Sequence, residues 1–251
     1  MARTVPWRPA QVLLAAGFFA AAAGSAGPLH AQEMTIALDG TTLTSQSLLL
    51  IALVTILSLA PGLAIMVTCF PFLVTVLSIL RQAIGLQQSP PNMLIVSLAL
   101  FLTWFIMEPT FTEAWTEAIE PMIGGTLPFD AALETGIEPF RRFMLGRLDP
   151  ETFSALAALR TETAVGPDPQ TAPLSVIVPS FLLSEVERAF EIGFLIFLPF
   201  LIIDLVVSAV LMSMGMMMVP PAVVALPFKL AFFVLADGWT LISGALVRSY
   251  L

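Results

Sequence analysis

The sequence contains few charged residues and few of the side chains on which enzymes commonly rely. Only 11% of its 251 residues are charged, whereas soluble domains carry about 25%. Cys69 is the only cysteine and His30 the only histidine. One chain therefore cannot form an internal disulfide or a metal site with several histidines, and the sequence implies no cofactor.

Basic residues are particularly scarce. Ten lysines and arginines stand against 18 acidic residues, which gives a formal net charge of -8. Nucleic-acid binding needs a basic surface, so this balance argues against a nucleic-acid partner. Hydrophobic residues instead make up 58% of the chain, and the mean hydropathy is +0.95. These values predict an all-α integral membrane protein that is not an enzyme.

Residues 1–31 have the features of a secretory signal peptide. Arg3 and Arg8 form its basic start, residues 12–23 are a short apolar run, and small residues follow up to Ala31. This order is typical of a cleaved export signal. We therefore expect removal near Ala31, with cleavage after Ala26 as an alternative, and a mature N-terminus outside the cytoplasm.

The next segment, residues 32–107, is predominantly apolar. Residues 47–80 contain no charged residue, and this run is longer than the ~20 residues that cross a bilayer. Pro61-Gly62 predicts a division into helices over 45–60 and 65–81. A third apolar stretch, 93–107, ends at Glu108-Pro109 and is short for a span, which favours helices that do not cross a bilayer conventionally.

Residues 108–191 form an acidic segment with a different composition. Five arginines stand against fourteen acidic residues. Cytoplasmic loops favour Lys and Arg, so this segment fits the periplasmic side of a bacterial inner membrane better. With both it and the N-terminus outside, two crossings before it and two after are expected. Within it, residues 151–160 look helical, and the Pro- and Gly-containing 161–173 looks like a loop.

The C-terminal segment, 192–251, predicts a helical hairpin with an unusual link. Apolar runs at 192–211 and 222–247 flank residues 212–221, which read MSMGMMMVPP. One interpretation is a tight helix corner, with Gly215 ending one helix and Pro220-Pro221 starting the next. The other is a deformable ring of methionines that closes a pore, because methionine is flexible and polarizable.

Three ionisable residues lie inside these apolar runs: Asp204, Lys229 and Asp237. Such groups are costly in lipid and should face protein or water, and pair. Lys229 and Asp237 are eight residues apart, about two helical turns, which is too far for a direct pair along one helix. We expect Lys229 to pair with a carboxylate of another helix or subunit, with Glu185 and Asp204 as the candidates.

Several motifs resemble the FliP/SctR family of type III protein export-gate proteins, of which FliP is the flagellar branch and SctR the injectisome branch. The motifs are LRQAIG at 80–85, SPPN at 89–92, PFRRFM at 139–144, LPFLIID at 198–204, the methionine-rich link, LPFKL at 226–230 and DGW at 237–239. Ser184-Glu185 and residues 189–194 also match. The family usually continues with a more basic run after Met144, and the departure at 145–150 weakens any role for Arg147.

The resemblance implies a protein-conducting gate that passes unfolded flagellar proteins and is needed for flagellum assembly. Family members form a pentamer of helical hairpins in a spiral, joined by FliQ-like and FliR-like subunits within the flagellar basal body. By match, Met216, Met217 and Met218 form the gasket of the channel, with Met212 and Met214 as secondary candidates. Glu185, Asp204, Lys229 and Arg141 match charged positions that are buried or lie between subunits.

Three other interpretations remain open at the level of sequence. An injectisome subunit of the SctR type shares most of the motifs, although the signal peptide and Val219-Pro220-Pro221 favour the flagellar branch. An intramembrane aspartyl protease could use Asp204 and Asp237 as its catalytic pair. A small-solute or proton transporter would also contain broken apolar segments and intramembrane charges, but no inverted repeat is evident.

Overall fold

The computed structural model describes residues 43–86, 90–160, 168–216 and 218–250, and all regular secondary structure within these ranges is helical. The expected all-α integral membrane fold is thereby confirmed. The predicted signal peptide, most of the expected loop at 161–173 and Met217 lie outside the described residues. The chain divides into two units, Met1–Val54 and Thr55–Leu251, and the boundary lies in the middle of its first helix. Both hydrophobic cores lie in the second unit.

Eight helices follow one another along the described residues. They are α1 (Leu43–Met66), α2 (Phe70–Ile84), α3 (Asn92–Ala114, continuing through a π-helical turn at Trp115–Ile119 into Glu120–Ile123), α4 (Phe129–Arg147), α5 (Pro150–Ala158), α6 (Leu174–Ser213), α7 (Pro221–Leu235) and α8 (Gly238–Arg248). The helix expected at 151–160 is therefore present as α5.

The predicted break at Pro61-Gly62 is wrong. Helix α1 runs through both residues, and the chain turns only at residues 67–69. Proline is tolerated within apolar membrane helices, where it does not compel a helix to end. The turn comes where Thr68 Oγ1 accepts a hydrogen bond from the Phe70 N–H (3.4 Å) and Pro71 provides a favourable first turn for α2.

Two further helices are longer than their apolar runs. Helix α3 continues past Glu108-Pro109 to Ile123, so the expectation of a short third segment ending at residue 107 is wrong. Helix α6 begins at Leu174, well before the apolar run at 192–211, and has 40 residues. In both cases the acidic segment supplies the extra turns, after the apolar stretch in α3 and before it in α6.

The main core is built on α2. Phe72, Leu73, Val76, Leu77 and Leu80 recur at helical spacing and are completely buried. This face of α2 packs along α6 and also against α3. At the contact with α6, a Cβ on Gly193 would come within 2.4 Å of the Ile79 side chain, so the two helices require glycine there.

A second core joins α4, α5 and the start of α6. Its buried members are Met144, Phe153, Ala172, Val176, Ile177 and Phe181. Asp149 is the N-cap of helix α5, and its carboxylate accepts a hydrogen bond from the Thr152 N–H (2.7 Å). That bond favours the charged carboxylate and lowers the pKa of Asp149 below its usual value.

The apolar run at 222–247 was expected to form one helix, but it forms two. Helices α7 and α8 are bent by 61° at Ala236-Asp237. Asp237 has a φ of 47°, the only left-handed backbone among the described residues other than glycine. The Asp237 carboxylate accepts a hydrogen bond from Thr240 Oγ1 at 3.2 Å, near the start of α8.

By length and composition, three segments of the described chain could each cross a membrane: Ser47–Met66, Asn92–Ile123 and Leu174–Ser213. The bent pair α7 and α8 makes a fourth if it counts as one span. Two of these precede the middle of the acidic segment and two follow it, which matches the number of crossings expected from the sequence. Which side of the membrane that segment occupies stays a prediction.

Candidate functional site: a methionine tip and two buried charge centres

The link between α6 and α7 ends α6 with a Schellman motif. Gly215 adopts the left-handed conformation with φ 73°. The Gly215 N–H donates to Met212 O at 3.0 Å, and the Met216 N–H donates to Leu211 O at 3.0 Å. These two hydrogen bonds supply donors to backbone carbonyls that would otherwise lack a partner at the end of the helix. Pro221 then starts α7, so the backbone on both sides of the link is fixed, as the helix-corner interpretation expected.

The methionine side chains of this link are exposed. The exposed fractions are 61% for Met212, 66% for Met214, 39% for Met216 and 97% for Met218; Met217 lies outside the described residues. We call Met212, Met214, Met216 and Met218 the methionine tip. Here the backbone turn is closed while these side chains are available to another molecule.

The first buried charge centre lies about 15 Å along α6 from the methionine tip, as estimated from the helical rise between Asp204 and Met214. Lys229 of α7, 6% exposed, contacts the Asp204 carboxylate with 2.6 Å between Nζ and Oδ2. Nζ also donates to Ala83 O at the end of α2, at 3.0 Å. The ammonium group thus ties α6, α7 and α2 together. Of the two carboxylates considered for Lys229, the structure brings it to Asp204 and not to Glu185.

The second centre surrounds Glu185, which is completely buried. Its carboxylate accepts a hydrogen bond from Arg147 Nε at 3.0 Å and another from the Tyr250 hydroxyl, and Arg188 Nη1 lies 3.8 Å away. The Arg147 guanidinium also lies 4.0 Å from the centre of the Tyr250 ring, a cation–π distance. Burial and the neighbouring Glu185 carboxylate raise the pKa of the Tyr250 hydroxyl, which keeps it protonated as a donor.

Sequence reasoning missed Arg147 and Tyr250. The departure from the family pattern after Met144 lowered the expectation for Arg147, yet this residue carries the main ion pair to Glu185 and also donates to Ser249 O at 2.8 Å. Tyr250 is the only tyrosine of the chain, but nothing in one sequence connects it to Glu185. Burial of the carboxylate is the reason that both are needed, because an unpaired charge there would be very costly.

Arg141 is separate from both centres. Its guanidinium donates to Gln170 O at 2.8 Å and to Ala172 O, so it holds the segment that leads into α6. Its neighbour Arg142 forms an ion pair with Glu113 at the surface. Arg141 therefore binds backbone carbonyls of its own chain, and no carboxylate contacts it within the described residues.

The arrangement does not support peptide-bond chemistry. An aspartyl protease needs two carboxylates that share a proton, whereas Asp204 is paired with Lys229 and Asp237 contacts Thr240. Across the described ranges, no group of three or more histidine, cysteine or acidic side chains could hold a metal ion. The ion pairs of Asp204 and Glu185 join apolar helices to one another. The methionine tip stays exposed.

The fold and these sites define a class: an all-α integral membrane protein in which buried ion pairs join the helices and a methionine-rich hairpin tip is exposed. The family model described as "FliP family" matches residues 53–246. With more than half of its length matched, the chain belongs to the FliP family.

Known relatives cover most of the chain at high identity. A "Flagellar biosynthetic protein FliP" of Caulobacter vibrioides is 50% identical over 214 residues, which are 84% of this chain and 79% of that protein. A protein of the same description from Bacillus subtilis is 46% identical over 209 residues, 82% of this chain and 93% of its own length. The one from Aquifex aeolicus is 47% identical over 206 residues, which are 81% of this chain and 86% of that protein. The resemblance seen in the motifs is thereby confirmed.

Proposed function

We propose that this chain is a core channel-forming subunit of the flagellar type III protein export gate. It passes unfolded flagellar proteins across the bacterial inner membrane and is needed for flagellum assembly. Membership of the FliP family supports this proposal, and so does the description of its relatives as flagellar biosynthetic proteins. The observation that carries it is the methionine tip.

The methionine tip has the properties that a seal for a protein channel requires. It is apolar, so it offers water and ions no hydrogen bonds, and its unbranched thioether side chains adapt to an irregular surface. Its backbone is held by the Schellman motif and by Pro221, while Met218 remains 97% exposed. Met216, Met217 and Met218 form the gasket together with their counterparts in neighbouring subunits, and Met212 and Met214 support it.

The assembly that this function needs is a pentamer of the chain in a spiral, with FliQ-like and FliR-like subunits. Helix α6 supports it, because large apolar side chains along its length are exposed in the single chain: Phe190, Phe194, Leu195, Ile202, Leu205 and Val206. Such a continuous apolar surface needs lipid or other subunits against it. The gate belongs to the flagellar basal body in the inner membrane, where residues 108–191 face the periplasm and other export-apparatus proteins.

The buried charges hold the gasket in place and take no direct part in transport. Lys229 and Asp204 join the two helices that carry the methionine tip, and Glu185 anchors the other end of α6. Arg141 fixes the segment before α6. In the assembled gate these contacts hold the tip of each hairpin in a fixed position, so that the five tips meet on the channel axis.

The proposal is tested by replacing Met216, Met217 and Met218 together with alanine in cells. Alanine removes the flexible thioethers and widens the constriction while the Schellman motif and the ion pairs remain. The expected result is a leak of ions and small molecules through the inner membrane, with normal amounts of the assembled complex. Membrane conductance and uptake of a small dye, compared at equal amounts of complex, measure it.

Met93→Ala is the matched control, because Met93 is also highly exposed, at 82%, but lies at the start of α3. It should leave the membrane tight. A triple variant that assembles normally and is as tight as the wild type would show that this link is not the gasket. Reduced assembly without a leak would make the link a structural corner only.

A further inference from the structure

Helix α8 is attached to the rest of the chain along a narrow strip. Its buried residues are Gly238, Ile242 and Leu246, and the last two enter the main core from one face of the helix. The helix packs against α7 and α3, while Leu241 on another face is 58% exposed. An element with few buried apolar contacts can open locally while the rest of a protein stays folded. The two ends of α8 therefore decide how firmly it is held.

The first end of α8 is a bend with a disfavoured backbone conformation. The chain turns through 61° between α7 and α8, and Asp237 at the bend has φ 47° and ψ 48°, in the left-handed region. Residues that carry a side chain avoid this region, although Asp tolerates it better than most. A Cβ on Gly238 would lie 2.2 Å from the Phe233 ring of α7, so the start of α8 lies tightly against α7. A movement of α8 away from the core would release Asp237 from its disfavoured conformation.

The other end of α8 is held by Tyr250, which lies just beyond the helix. The Tyr250 ring contacts Phe72 of α2 edge to face, with 5.4 Å between the ring centroids. It also stacks on Phe143 of α4, with 6.0 Å between the centroids. Its hydroxyl donates a hydrogen bond to Oε2 of Glu185 on α6. One side chain thus fastens the end of α8 to three other helices.

Arg147, beside Tyr250, has one nitrogen that the closed arrangement does not use. Its Nε donates to Oε1 of Glu185 at 3.0 Å, and its Nη1 donates to the Ser249 carbonyl at 2.8 Å. Its Nη2 is buried and has no hydrogen-bond partner among the residues that the structure describes. Nε and Nη2 lie on the same edge of the planar guanidinium group, and such an edge commonly binds both oxygens of one carboxylate. Here the Tyr250 hydroxyl contacts the second oxygen, Oε2.

We propose that α8 is a strap, with a hinge at Asp237 and a latch at Tyr250, which opens as a unit while the other helices stay folded. When Tyr250 leaves, Nη2 of Arg147 takes over Oε2 of Glu185, and the single hydrogen bond between these two residues becomes a bidentate ion pair. The buried carboxylate keeps its counter-charge throughout, so opening avoids the large cost of an unpaired buried ion. Helix α6 stays joined to α4 in both positions of the strap. The proposal does not depend on the channel function, because the strap shares no residue with the methionine tip.

Amide hydrogen exchange of the full chain, purified in a non-ionic detergent and followed by mass spectrometry, tests whether α8 opens by itself. We expect the amides of α8 to exchange about tenfold faster or more than those in the middle of α2, because a local opening costs less than global unfolding. Met144→Ala is the control, since Met144 is 1% exposed in the second core. Its loss should speed the exchange of α2 about tenfold or more and leave that of α8 unchanged. Equal acceleration of both helices, or exchange of α8 as slow as that of α2, would overturn the proposal, because α8 would then open only when the whole chain unfolds.

A matched pair of substitutions at Asp237 tests the hinge. Asp237 is exposed, and both Asp237→Ala and Asp237→Gly remove its hydrogen bond with Thr240. The two variants differ in the backbone, because glycine adopts the left-handed conformation readily and alanine does not. The amides of α8 should therefore exchange about threefold faster or more in Asp237→Ala than in Asp237→Gly. Equal exchange in the two variants would show that the backbone at 237 does not change when α8 opens, which contradicts the hinge.

Tyr250→Ala tests the latch and the change of partners at Glu185. It removes the ring contacts and the hydroxyl donor together, so the exchange of α8 should rise about tenfold or more; unchanged exchange would contradict the latch. A double-mutant cycle of Arg147→Ala and Glu185→Ala then measures the coupling within the ion pair, as a ratio of unfolding equilibrium constants. In the Tyr250→Ala protein this coupling should equal or exceed that in the wild type, because Arg147 gains the second carboxylate oxygen. A smaller coupling would mean that Glu185 loses its partner when the strap opens, and the proposal would fall.

Discussion

The Glu185 centre and the methionine tip lie near opposite ends of the same helix, α6, and the chain completes only one of them. Glu185 is fully buried and has Arg147, Tyr250 and Arg188 around it. Met218 beyond the other end is 97% exposed. We call the Glu185 end a finished joint, because its charged groups find their partners within the single chain. The methionine side chains beyond the other end remain exposed for contact with another molecule.

The length of α6 allows this contrast. From Glu185 to Met214, a straight helix would extend about 43 Å, more than the ~30 Å of a bilayer's hydrocarbon core. The two ends can therefore lie in different surroundings. Between them, the ion pair of Lys229 and Asp204 joins α7 to α6. Substitutions at three places along the hairpin test this comparison.

The largest effect is expected at the finished joint. Glu185→Ala removes the carboxylate and leaves the Arg147 guanidinium, 15% exposed, without its counter-charge. Loss of one partner of a buried pair costs about 3–5 kcal/mol. Denaturant titration of the purified chain in detergent should show that loss in the free energy of unfolding.

Glu187→Ala is the control for this prediction. Glu187 is exposed two residues further along α6, and its replacement should change the free energy of unfolding by no more than about 0.5 kcal/mol. Equal effects of the two variants would mean that the Glu185 end is not a finished joint, and the contrast with the methionine tip would disappear.

An intermediate effect is expected at the middle of the hairpin. Lys229→Ala leaves Asp204 without its ammonium partner, but the Asp204 side chain is 34% exposed, so this pair is less enclosed than the one at Glu185, whose side chain is fully buried. We expect a cost of roughly 2 kcal/mol, below that of a fully buried pair, and weaker oligomers on native gels.

The double variant Lys229→Met/Asp204→Leu separates charge from packing. Apolar residues of similar size often replace an ion pair without loss of stability, so this variant should recover most of the free energy of unfolding. If it is as unstable as Lys229→Ala, the contribution of the pair is not electrostatic.

The regions that the sequence predicted well are those governed by composition and local spacing. Apolar runs indicated the membrane class, and Gly215 and Pro220-Pro221 indicated the end and restart of helices. These inferences rest on composition and on local helix geometry. The break at Pro61-Gly62 was wrong because the breaking effect of proline depends on surroundings that one sequence does not specify.

The Glu185 centre could not be predicted because its members are distant in sequence. Arg147 is 38 residues from Glu185 and Tyr250 is 65 residues from it. Their meeting depends on how α4 packs against α6 and on the contact of Tyr250 with Phe72 of α2.

The smallest effect on stability is expected at the methionine tip, where Met218 is 97% exposed and Met218→Ala should change the free energy of unfolding of the single chain by about 0.5 kcal/mol or less. Exposed side chains bury little apolar surface, so their removal costs little. Met144→Ala is the control of the same residue type: Met144 is 1% exposed in the second core, and its loss should cost about 2–5 kcal/mol. The same denaturant titration measures both. A loss at the tip as large as at Met144 would mean that the link is already packed within the single chain, and the tip would then have no free surface to offer a neighbouring subunit.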